Sequence, residues 1–227
     1  MKLTILKWGA ASLALLVSTA GAATVSAQDQ SSSSPSSPAA AAPAPVQQTE
    51  KKDPSIEQRK ENQQDRIANG VKSGQLTPGE TANLEKKEAA INKETRADRA
   101  ANGGKLTAAE KAQINKQQNQ TSKQIYADKH NANTAHYGNN KVGQRRENQQ
   151  DRIAQGVKSG QLTPSETAKL EKQQQGINKQ VASDRKANGG TLTASEKKQV
   201  NKEQNQASRN IYKKKHNAAT QPNTKKP

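Results

Sequence analysis

The chain is predicted to be all-α, with two tandem three-helix units after a disordered N-terminal region. Three observations carry this expectation. The segment "ENQQDRIANGVKSGQLTPGETANLEKKEAAINK" from Glu61 returns as "ENQQDRIAQGVKSGQLTPSETAKLEKQQQGINK" from Glu147, 86 residues on, and the register holds to "IYADKHN" and "IYKKKHN". The phrase G-x-L-T-x-x-E occurs four times: "GQLTPGE", "GKLTAAE", "GQLTPSE" and "GTLTASE". With 29% hydrophobic residues, no Cys and no Phe, any core must be small and helical.

The elements follow in chain order. Residues 1–27 read as a secretory signal peptide: a basic start (Lys2, Lys7), an apolar stretch around 13–17, and small residues leading to a cut after Ala27. The apolar run is too short to span a membrane, so no transmembrane segment is expected after cleavage. Residues 28–55, rich in Ser, Pro and Ala, bury too little to offset their ordering entropy and are expected to be a disordered linker. Unit 1 is placed at 56–134, a Gly/Asn-rich linker at 135–143, unit 2 at 144–220 and a disordered tail at 221–227.

Helix grammar explains the fourfold phrase. Gly74, Gly104, Gly160 and Gly190 can take the left-handed conformation that ends a helix. Thr77, Thr107, Thr163 and Thr193 cap the next one, and Glu80, Glu110, Glu166 and Glu196 reach back to close a capping box. Pro78 and Pro164 fall at the first helical position, where a missing N–H costs nothing. The first helix of unit 1 is expected to end near Ser73, the second to span 78–101 and the third 108–131, with the same three after adding 86. The large apolar residues form a thin stripe along them.

Little in the chain points to chemistry. The second half of an EF-hand loop resembles this phrase, but the ligand positions before it hold Asn69, Val71 and Ser73, or Arg99, Ala101 and Gly103, a set that cannot coordinate calcium. Tyr126 and His130 share a helical face, as do Tyr212 and His216, yet no second ligand stands at metal spacing. No catalytic motif or phosphate-cradling glycine loop is present. A non-enzyme is expected, with no catalytic, metal-binding or cofactor-binding residue and no cofactor.

Charge is the strongest compositional signal: 37 Lys and Arg against 20 Asp and Glu, a formal net +17. Unit 2 is the more basic, with its densest cluster at Lys213, Lys214 and Lys215. Attraction of acidic partners follows without a dedicated site, and few aromatic residues exist to stack bases, so no specific nucleic acid is expected.

The motifs "LTPGE", "LTAAE", "LTPSE" and "LTASE" resemble the L-T-x-x-Q motif of small periplasmic helical proteins of the Spy and CpxP type, with Glu where that family has Gln. The whole unit is more similar to exported bacterial proteins with tandem G-x-L-T-x-x-E helical repeats, a resemblance that implies no activity. The Spy-type resemblance implies a chaperone or stress adaptor. The leading expectation is therefore an exported, non-enzymatic interaction protein of the periplasm or cell envelope, or a secreted one, that holds unfolded or acidic proteins on an apolar contact formed by Leu76, Ile91, Ile125, Leu162, Ile177 and Ile211. The alternative is a basic protein that binds polyanions non-specifically through Lys213, Lys214 and Lys215, or serves an envelope-structural role. A third reading is a degenerate EF-hand-like module without calcium binding.

Overall fold

In each repeat the few large aliphatic residues recur at helical spacing, and the faces they make can be buried only by meeting one another. A computed structural model describes residues 54–221, which form six helices: α1 (Pro54–Lys72), α2 (Pro78–Ala101), α3 (Ala108–Lys129), α4 (Lys141–Lys158), α5 (Pro164–Ala187) and α6 (Ala194–Lys215). The architecture is all-α, as predicted, with no strand among the described residues. The expected signal peptide, the 28–55 linker before Pro54 and the tail after Gln221 lie outside the described residues.

Within each repeat three helices pack on one another through short connections. Between repeats, α1 packs on α4 and α2 on α5, while α3 and α6 touch only helices of their own repeat. Each central helix therefore meets its own copy. That is the signature of a pseudo-two-fold interface, in which the same patch serves both sides. The cores exchange side chains accordingly. Ala154 of repeat two enters the cluster of Ile67, Val71, Leu76, Leu84 and Ile125, and Ala68, its counterpart, enters that of Ile153, Val157, Leu162, Leu170 and Ile211.

Each repeat has a second apolar cluster at its far end. Ile56, Ile91, Leu106 and Ile114 form it in repeat one, and Val142, Ile177, Val181, Leu192, Val200 and Ala207 in repeat two. Between near and far clusters lies a buried polar layer, supplied by Gln63, Gln64, Glu85, Glu88 and Gln118 and by Gln149, Gln150, Glu171, Gln174 and Gln204.

Several boundaries differ from the sequence expectation. Pro54 and Ser55, placed in the linker, begin α1, and α3 ends at Lys129, not at 131. Residues 141–143, placed in the linker, form the first turn of α4, because the Asn140 side chain accepts from the Gly143 N–H at 3.1 Å and caps the helix there. Gln221, placed in the tail, is buried; its side-chain amide donates to Gln64 Oε1 at 3.0 Å and to the Leu162 carbonyl at 2.8 Å.

The turn after α1 fixes how closely Leu76 approaches the helix it has just left. Gly74 takes φ +71, and the Leu76 N–H donates to the Gly70 carbonyl at 3.0 Å. This returns the Leu76 side chain onto α1, where a Cβ at Gly70 would lie 2.7 Å from both Leu76 Cγ and Cδ1; Gly156 and Leu162 repeat the arrangement. Helix propensity alone would favour Ala at Gly70 by about 1 kcal/mol. Overpacking against a side chain that is itself fully buried decides the sign the other way. Gly70→Ala is expected to destabilise the fold by about 1–2 kcal/mol, read as a lower midpoint in urea denaturation; an unchanged or raised midpoint would show that Leu76 yields.

Candidate functional site

The glutamate of each L-T-x-x-E phrase joins two helices. Glu80 Oε2 accepts from the Thr77 N–H at 2.9 Å and the Thr77 hydroxyl at 2.7 Å, while Oε1 accepts from Asn131 Nδ2 at 2.8 Å and Asn133 Nδ2 at 3.2 Å, just beyond α3. Glu166 repeats this with Thr163 and Asn217, the latter at 2.6 Å. Glu110 and Glu196 cap their own helices and take both amide contacts of Asn102 and Asn188 at the preceding helix ends. All four capping boxes are complete, and Gly74, Gly104, Gly160 and Gly190 all have positive φ. Because only donors converge on Glu80, a Gln there would turn one oxygen into a donor facing donors. These contacts hold the Glu80 and Glu166 carboxyls below the usual glutamate range, against the opposing pull of partial burial.

Leu76, Ile91, Ile125, Leu162, Ile177 and Ile211 are not a contact surface: each is at most 5% exposed. Together they occupy all four apolar clusters, because self-pairing of the repeats and packing within each repeat cover both ends of the stripe. Among the described residues the exposed large hydrophobics are Tyr126 and Tyr212. Each stacks on a histidine four residues later, with ring centroids 4.1 Å apart. His130 and His216 are the C-caps of α3 and α6, and each Nδ1 lies 2.7–2.8 Å from the tyrosine carbonyl. Among the described residues no group of three or more His, Asp or Glu is placed to hold a metal ion, and no helix is long and apolar enough to cross a membrane.

The expected lysine cluster is partly engaged. Lys214 pairs with Glu166 at 3.5 Å and Lys215 donates to Gln155 Oε1 at 3.1 Å, leaving Lys213 the exposed member. The self-pairing of α2 and α5 instead builds two related basic clefts of about 380 Å³ each. One sets the start of α2 (Thr77, Pro78, Gly79) beside Arg146, Lys179 and Arg185; the other sets the start of α5 (Thr163, Pro164, Ser165) beside Lys60, Lys93 and Arg96. No acidic residue lines either cleft. Each joins cations from one repeat to a helix N-terminus of the other, an arrangement suited to anions. None of these six residues forms a sequence motif; only the helix pairing brings them together.

The interface also buries carboxyls. Glu85 accepts from Gln64 Nε2 at 3.1 Å and Glu171 from Gln150 Nε2 at 3.0 Å, while the second oxygen of each has no hydrogen-bond partner. Burial pushes both up to about 8 and Glu88 to about 7. The chain matches no protein-family model, no curated protein and no solved structure.

These groups set opposite pH arms. Glu85 and Glu171 sit above the 4.5 of an ordinary glutamate, so the folded chain keeps protons that the unfolded chain releases. Their stabilisation is full below about 4.5 and lost as pH climbs through about 8. Glu80 and Glu166 sit below it, so theirs is present above 4.5 and lost as pH falls through their lowered range. Thermal melts are expected to show Tm falling from pH 5 to pH 8.5, and Glu85→Gln with Glu171→Gln to reduce that fall to the part Glu88 contributes, while leaving the acid arm in place. A Tm that rises over this range would refute the buried-carboxyl account. Glu80→Gln is expected to lower stability by about 1–2 kcal/mol although Gln also serves a capping box; a neutral result would leave Glu80 a cap alone.

Proposed function

We propose that this chain is an exported, non-enzymatic helical protein of the cell envelope that associates with polyanions through the two basic clefts between its repeats. The observation that supports this most directly is that both clefts set three cations beside the start of a helix, with no acidic residue in the lining although Glu80 and Glu166 cap those helices just behind it. The sequence adds a formal +17, and the surface is more basic still, because Glu85 and Glu171 are buried with carboxyls pushed up to about 8. The first 27 residues, read as an export signal, support the location. A chaperone-like mode draws less support, since the aliphatic residues it would use are in the core.

Binding of this kind is driven by counterion release and falls linearly on a log–log salt plot. With duplex DNA and anionic vesicles as separate probes, binding is expected at low salt and to vanish by moderate salt. Lys93→Ala with Arg96→Ala is expected to reduce the slope for DNA by about 2, one per lost phosphate contact. An unchanged slope would remove the cleft from the mechanism, and suppression of client aggregation that persists at high salt would favour apolar capture instead.

A further inference from the structure

The two repeats differ in the partner they give one arginine, and in the second repeat that arginine lines a cavity. In repeat one, Arg99 near the end of α2 pairs with Glu57 in the first turn of α1, Nη1 to Oε1 at 2.9 Å, with both side chains less than a fifth exposed. Adding 86 to each number gives Arg185 and Gly143. The arginine is kept and its carboxylate is gone. A side chain at Gly143 is excluded, because a Cβ there would run into the carbonyl oxygens of Tyr137 and Gly138 in the connection folded over it. No ion pair to Arg185 is formed among the described residues.

Repeat two has a cavity of about 590 Å³ between α4, α5 and the start of α6. Arg185 lines it together with Lys141, Arg145 and Lys197, and no acidic residue does. Val142 and Leu192, both buried members of the far apolar cluster, give it an apolar side. Arg145 is already oriented by Asn205 Oδ1 at 2.6 Å and Asn201 Oδ1 at 3.3 Å, the counterpart of Arg59 on Asn119 and Asn115. The volume suits a small organic ligand. Repeat one specifies its chemistry: a carboxylate is what this arginine holds when the site is filled.

We propose that this cavity binds a small carboxylate with a short apolar body. The carboxylate sits on Arg185 as Glu57 sits on Arg99, and the apolar body lies against Val142 and Leu192. An arginine fork donates to both carboxylate oxygens and retains its charge at any relevant pH. Arg185 also lines the first basic cleft, so the two sites adjoin; Lys93 and Arg96 of the second cleft do not line this cavity, and they tell the two kinds of binding apart.

Octanoate is the probe, titrated into the purified chain and followed by amide chemical shifts. One binding event per chain is expected, with shifts centred on 141–145 and 190–192 and not on their counterparts in repeat one. Octanamide, with the same tail and no charge, and the Arg185→Gln variant are each expected to weaken binding at least tenfold, with Arg185→Lys intermediate. Lys93→Ala with Arg96→Ala is expected to leave octanoate binding unchanged while weakening DNA. Equal affinity of Arg185→Gln and the parent, equal affinity for octanamide, or shifts spread evenly over both repeats would overturn the proposal.

Discussion

The structure depends on the packing of each central helix against its own copy, α1 on α4 and α2 on α5. A three-helix unit built from so few large side chains cannot bury enough surface alone, since small domains leave much of their area wet. Self-pairing removes the shortage by giving each repeat a second wall. Ala68 and Ala154 are the reciprocal tokens of this: each is small enough to let the helix backbones approach and each completes the other repeat's core. The same pairing creates the clefts, because it lays one repeat's helix N-terminus beside the other's cations.

The polar layer follows from the same constraint. Gln63 donates to the Gln118 carbonyl at 2.7 Å, and Gln118 donates to the Ile56 carbonyl at 2.9 Å; Gln149 and Gln204 repeat both bonds. These amides cross-link helices at a fixed height, which apolar side chains sliding over one another do not do. The layer is incompletely satisfied, with buried oxygens of Gln63, Gln118 and Gln204 lacking donors. Each such group costs free energy that the apolar clusters on either side must offset.

What was legible in the sequence was local. Thr77 and Glu80 are three residues apart, and their hydrogen bonds need nothing beyond the turn that contains them, so helix starts at 78, 108, 164 and 194 could be read directly. The Asn140 cap was hidden because no glutamate follows it at the third position to complete a box. Leu76 and Ile91 were legible as one stripe, but a stripe does not say what covers it. Whether a face meets solvent, a client or its own copy depends on a partner 86 residues away. Gln63, Glu85 and Gln149 were illegible for the converse reason. Polar residues on a helix ordinarily face water, and only the closeness of two backbones puts them inside. Lys60, Lys93 and Arg96 form a cleft only with residues of the other repeat.

Duplication then lets the two halves differ without losing the frame. At the position of Glu88, whose carboxyl has no hydrogen-bond partner and is pushed up to about 7, repeat two has Gln174, and its amide donates to Gln149 Oε1 at 3.1 Å. The matching oxygen of Gln63 has no donor. Repeat two thus satisfies a bond that repeat one leaves open. At the far end the asymmetry reverses: repeat one closes its arginine with Glu57, and repeat two, constrained to glycine by the connection that folds over α4, does not. A symmetric body with one half-finished polar layer and one unmatched arginine has two equivalent frames and inequivalent sites. The pseudo-two-fold therefore accounts for stability, and the departures from it are where recognition can reside.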